Sequence, residues 1–66
     1  MQQFKDLAIG QLFINEGRIY RKTPDRKAVH RHTVYKYNAI NISTQACTRF
    51  AAGEQVQPIQ PVEVLR

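Results

Sequence analysis

The sequence has one cysteine, no tryptophan and a single methionine at its start. Cys47 alone can form no internal disulfide and cannot supply a cysteine-rich zinc site. Apolar runs stop at two or three residues, as in Leu12-Phe13-Ile14, which excludes a transmembrane helix and a signal-peptide core. With no secretory segment after Met1, the expected compartment is the cytoplasm, without membrane contact. No glycine-rich phosphate loop, paired-carboxylate spacing or hydrolase elbow occurs. At 66 residues and 7.7 kDa the chain is also too small for a conventional enzyme pocket with its supporting shell. The expectation is one domain over residues 1–66, not an enzyme, with no cofactor and no metal.

What is present is a globular composition, 42% hydrophobic and 23% charged, with an uneven distribution of charge. Ten Lys/Arg against five Asp/Glu give +5. Residues 18–36 hold Arg18, Arg21, Lys22, Arg26, Lys27, Arg31 and Lys36 against Asp25 alone, a net of +6. The remainder, with Lys5, Arg49 and Arg66 against Asp6, Glu16, Glu54 and Glu63, is −1. His30 and His32 lie inside the basic stretch and would add to it on mild acidification. Tyr20, Tyr35 and Tyr37, the only tyrosines, lie in it or next to it. Clustered cations with aromatic faces are what phosphate neutralisation and base stacking require. The plainer account is a solvated loop whose tyrosines pack as core.

The chain reads as short strands. Phe4 to Gly10 forms a turn that pins Phe4 and Leu7 onto the core, and Gln11 to Asn15 is a strand. Glu16-Gly17 is a tight reversal, and Arg18 to Thr23 is the return strand. Thr23 suits a helix N-cap and Pro24 a first helical position, but no amphipathic stripe follows. Residues 23–32 therefore read as an excursion loop. Thr33 to Ser43 is the strongest strand signal, with Val34, Ile40 and Ile42 on one parity and Tyr35, Tyr37, Ala39 and Asn41 on the other. Which parity faces inward in its first half is left open. Ser43 to Ala46 turns, Cys47 to Ala51 returns with Phe50, and Pro58 and Pro61 punctuate residues 55–60. Val62 to Val64 then closes as an edge strand. Five short strands with tight connections predict an all-β, five-stranded small closed barrel. Its expected core is Phe4, Leu7, Phe13, Tyr20, Ile40, Ile42, Phe50 and Val56.

The pattern Asp6-Leu7, Gly10, Phe13, Gly17, Tyr20, Lys22, then Asn38-Ala39-Ile40-Asn41-Ile42, then Phe50 and Val56 resembles small phage- and prophage-encoded proteins. These open with an Asp-Leu-x-x-Gly-x-x-Phe turn, followed by a Gly-x-x-Tyr-x-Lys strand and an Asn-Ala-Val-Asn/Asp-Leu strand. The resemblance covers most of the chain and implies an SH3-like β-barrel, usually without an assigned function. The sequence departs from that pattern in lacking a Thr-Gly turn near residue 44 and in its longer basic insert at 23–37. Such an insert is where individual function is sought.

Two histidines two apart, His30 and His32, would leave the same face of a strand. Even with Cys47 as a third ligand, no carboxylate or second cysteine completes a tetrahedral set. The plainer account is that both extend the basic patch, while Cys47 is a small buried hydrophobe. Pro58-Ile59-Gln60-Pro61 fits the minimal Pro-x-x-Pro pattern, which two prolines shaping a last turn explain as well. Asn41-Ile42-Ser43 matches a glycosylation acceptor that matters only to a secreted chain.

Two functional readings remain. In the first, the barrel is a platform for a nucleic-acid site, DNA or RNA, made of Arg18, Arg21, Lys22, Arg26, Lys27, His30, Arg31, His32 and Lys36, with Tyr35 or Tyr37 stacking on a base. In the second, a phage-encoded inhibitor or anti-defence protein docks the same surface on an acidic or nucleic-acid-binding host protein. An open edge near Val62 would also let two copies pair as a homo-oligomer.

Overall fold

The computed structural model describes residues 1–59. Strands β1 (Gln2–Gln3), β2 (Leu12–Asn15), β3 (Arg18–His30), β4 (Thr33–Asn41), β5 (Cys47–Thr48) and β6 (Gln55–Pro58) follow in chain order, with one 3-10 turn at Phe4–Asp6. They form one six-stranded antiparallel sheet in the order β1-β6-β2-β3-β4-β5. The fold is all-β, as expected, but among the described residues the ladder stays open, with β1 and β5 at its edges. The expected edge strand at Val62 to Val64 lies outside the described residues, as does Pro61 of the Pro-x-x-Pro pattern.

The stretch expected to be broken by prolines is instead strand β6, placed between β1 and β2. It tolerates Pro58 because the pairing is one-sided there. Ile59 N–H donates to Leu12 O at 2.9 Å, so the preceding residue faces the other way, where β1 has already ended. β6 contributes Val56, which is 1% exposed, to the core.

That core is an aromatic cluster. Phe13, wholly buried, stacks on Tyr20 at 5.5 Å between centroids and meets Phe50 edge-on at 5.1 Å. Phe4 stacks on Phe50 at 5.3 Å. These offset and edge-to-face arrangements are those the ring quadrupoles favour. Leu7, Ala39 and Val56 fill the remainder. All three phenylalanines are used, and one of the three tyrosines.

Ile40 and Ile42 do not belong to it, contrary to the sequence expectation. Ile40 is half-buried and Ile42 is 38% exposed. Ala39 and Asn41 point inward in their place. The isoleucines lie on the outer sheet face, where Arg21 pairs with Ile40 and the Ile42 N–H bonds to Ile19 O. Asn41 faces inward because its side chain is needed there: its Oδ1 accepts from Ser43 N at 2.9 Å and Thr44 N at 3.1 Å. That bond organises the β4–β5 turn in the absence of a Thr-Gly pair.

The largest departure is at residues 23–32. No excursion loop and no helical turn form there, and β3 runs continuously to His30. The register slips once, Lys22 facing Ala39 and Arg26 facing Tyr37. Thr23, Pro24 and Asp25 therefore oppose Asn38 alone, a bulge that accommodates the proline. Beyond it, β3 and β4 pair from Arg26–Tyr37 to His30–Thr33 and close through Arg31-His32. Both turn residues have positive φ, 50° and 68°, as a two-residue type I′ turn requires, although neither is the glycine or asparagine that favours it. At the other end of β3, Glu16 and Gly17 make the same kind of turn, with φ of 51° and 77°.

Candidate nucleic-acid interface

β2 pairs with β3 only from Arg18 to Arg21, so beyond the bulge β4 is the one strand paired with β3 among the described residues. The result is a two-stranded arm of five residue pairs, about 16 Å long at the usual strand rise. Between Arg26 and Lys36 every residue is exposed except Ala28, which is half-buried. Arg26, Lys27, His30, Arg31, His32 and Lys36 are all on this arm, with no acidic residue among them.

Pairing sorts the arm into two faces, because directly opposed residues share a side. One face carries Arg26 and Tyr37, Ala28 and Tyr35, His30 and Thr33. The other carries Lys27 opposite Lys36 and Val29 opposite Val34. Tyr35 is 47% exposed and Tyr37 half-buried. Neither belongs to the aromatic cluster, and Val34 on the opposite parity is 58% exposed, so in the first half of β4 neither parity faces a core. His30 ends β3 while His32 sits in the turn, so the two do not share a strand face. Among the described residues no three His, Cys, Asp or Glu are grouped to hold a metal ion.

Three predicted site residues lie elsewhere. Arg18 starts β3 beside the Glu16-Gly17 turn, about 40 Å along the strand from His30. Arg21 is on the outer sheet face next to Leu12 and Ile40. Lys22 is engaged inside the fold. Its Nζ donates to Leu7 O at 2.8 Å, Phe4 O at 2.9 Å and Lys5 O at 3.4 Å, and lies 4.7 Å from the Phe4 ring centroid. An ammonium so bonded ties the N-terminal turn to the sheet and is not free for a partner.

Two residues that sequence reasoning set aside join the arm. Arg49, outside the basic stretch, lines two hollows at its base. One, about 230 Å³, is bounded by Asp25, Arg26, Lys27, Lys36 and Arg49. The other, about 470 Å³, is bounded by Ala28, His30, Tyr35, Lys36, Tyr37, Cys47 and Arg49. Cys47 is free and exposed, not buried as expected. No local signal in the sequence marks Arg49, since its proximity arises from β4 folding back through β5.

No helix among the described residues is long and apolar enough to cross a membrane. Set against models of known protein families, curated proteins and solved structures, the chain matches none.

Proposed function

We propose that this chain is a small non-catalytic binding module that contacts nucleic acid, DNA or RNA, through the β3–β4 arm, on a sheet related to the SH3-like barrels. The observation that carries this reading is the concentration of Arg26, Lys27, Arg31 and Lys36 on an exposed arm with no acidic residue between them. Such a cluster neutralises phosphates and releases counterions. A two-stranded ribbon is also one of the shapes that the major groove admits. The test is a titration of labelled single- and double-stranded oligonucleotides at two salt concentrations, beside an Arg26/Lys27/Arg31→Ala variant. Binding that weakens steeply with salt and is lost in the variant supports the module. No binding at low salt by folded protein removes it.

A second reading is favoured by Val29 and Val34, which are opposed on the arm and 72% and 58% exposed. An apolar pair ringed by cations suits the surface of an acidic or nucleic-acid-binding host protein, and the resemblance to phage-encoded proteins points the same way. Loss of protein capture on Val29/Val34→Ser, with oligonucleotide binding intact, would favour it.

A further inference from the structure

The geometry points to a slot for one unpaired base, with its phosphate beside it, at the junction of the arm and β5; this makes single-stranded nucleic acid the ligand class. The inference rests on the arm being a nucleic-acid surface and adds to it a defined site, a residue off the arm and a choice of strand state.

Three observations meet there. The 470 Å³ hollow has Tyr35, Tyr37 and His30 on the arm side and Arg49 and Cys47 on the β5 side. Its volume is within the roughly 300–1,000 Å³ of small-molecule sites. Lys36 and Arg49 line both this hollow and the neighbouring one, which Arg26, Lys27 and a single carboxylate, Asp25, also line, so an aromatic chamber and one with four cations to one anion share two cations. A nucleotide has the same division, a flat ring joined to an anion. Finally, β5 pairs only with Ala39 and Ile40, so no strand covers the β4 edge beside Tyr35 and Tyr37 among the described residues.

A base inside a duplex has both faces covered by its neighbours and presents only its edges to a groove. An unpaired base can turn out and lay its face on a tyrosine ring, or on the guanidinium plane of Arg49. An arm lying in a duplex groove would engage its own cations and leave Arg49 without a role. Arg49 therefore separates the two modes.

Tyrosine emission reads the site directly, since the chain has no tryptophan. A short labelled oligothymidylate and a hairpin duplex would be titrated into wild type, Arg49→Ala, Tyr35→Leu and Tyr35→Phe, with a thermal melt confirming that each is folded. The slot predicts tyrosine quenching by the single strand and slower alkylation of Cys47 in the complex. It predicts single-strand affinity about tenfold lower in Tyr35→Leu and Arg49→Ala, near wild type in Tyr35→Phe, and little change on the duplex. Equal losses on both ligands, a duplex preference, or binding without Cys47 protection would overturn the slot and leave the arm reading standing. No binding of either ligand at low salt would remove both.

Discussion

The side-chain amide of Asn38 pairs with both backbone groups of Phe50, donating from Nδ2 to Phe50 O at 2.9 Å and accepting from Phe50 N at 2.8 Å. A side chain here takes the place of a neighbouring strand. Asn38 is the one β4 residue opposite the bulge, and at 6% exposure it is buried alongside Ala39, which strict alternation would not allow. The bulge, the amide and the Phe50 ring are thus one device. It holds the last aromatic of the core in place and fixes where the arm leaves the sheet.

Asn38→Ala leaves a buried N–H and a buried C=O without partners, and should cost about 2–4 kcal/mol. Asn38→Asp keeps the acceptor but loses the donor and places a charge in the core, so it should be no milder. Urea unfolding measures both. A loss below about 1 kcal/mol for Asn38→Ala would mean that the pairing is not structural.

Phe13 and Ile42 differ in the same way. Phe13→Ala removes the centre of the aromatic cluster and should cost about 3–5 kcal/mol, much of what a domain of this size has. Ile42→Ser, on the outer sheet face, should cost under about 1 kcal/mol. Comparable losses in equilibrium unfolding would contradict the assignment of Ala39 and Asn41, rather than Ile40 and Ile42, to the inner face.

Six of the eight residues expected in the core are there: Phe4, Leu7, Phe13, Tyr20, Phe50 and Val56, four of them aromatic, are the bulky apolar side chains that a core this small has most to gain from burying. Ile40 and Ile42 misled because their parity carries more hydrophobicity than Ala39 and Asn41. Inward placement was decided instead by the hydrogen bonds of Asn41, which hydrophobic periodicity does not register. The arm was hidden by chemistry that normally breaks strands. Pro24 sits in a bulge, and Arg31-His32 take a turn usually made by Asn-Gly. Local propensity was overridden by cross-strand pairing. The basic surface itself was legible as a charge cluster, but Lys22 and Arg49 exchanged places in it, since only tertiary contacts show which cation is occupied and which is at the site.

Lys22 and Lys27, five positions apart on β3, should therefore respond oppositely. Lys22→Met removes the ammonium from the Phe4 and Leu7 carbonyls and should cost about 1–3 kcal/mol, with oligonucleotide affinity of the folded protein little changed. Lys27→Ala should leave the melting temperature near wild type and weaken binding. A Lys22→Met protein that is stable but fails to bind would return Lys22 to the interface.

Lys27 and Lys36 are direct cross-strand partners on the arm, an arrangement that repels. Like charges opposed in this way disfavour the two-stranded ribbon that carries them. A polyanion lying over both would turn the repulsion into attraction. Lys36→Glu separates these effects, because it creates an opposite-charge pair where a like-charge pair stood. The arm should become more stable by about 0.2–1 kcal/mol, read as slower hydrogen exchange at Val29 and Val34 and most evident at low salt. Nucleic-acid affinity should fall, and the slope of log K against log salt should flatten by about 0.7–0.9 for the lost phosphate contact. If the substitution stabilises the arm and leaves both affinity and slope unchanged, Lys36 is not at the interface. If it destabilises the arm, the cross-strand register of Lys27 and Lys36 is wrong.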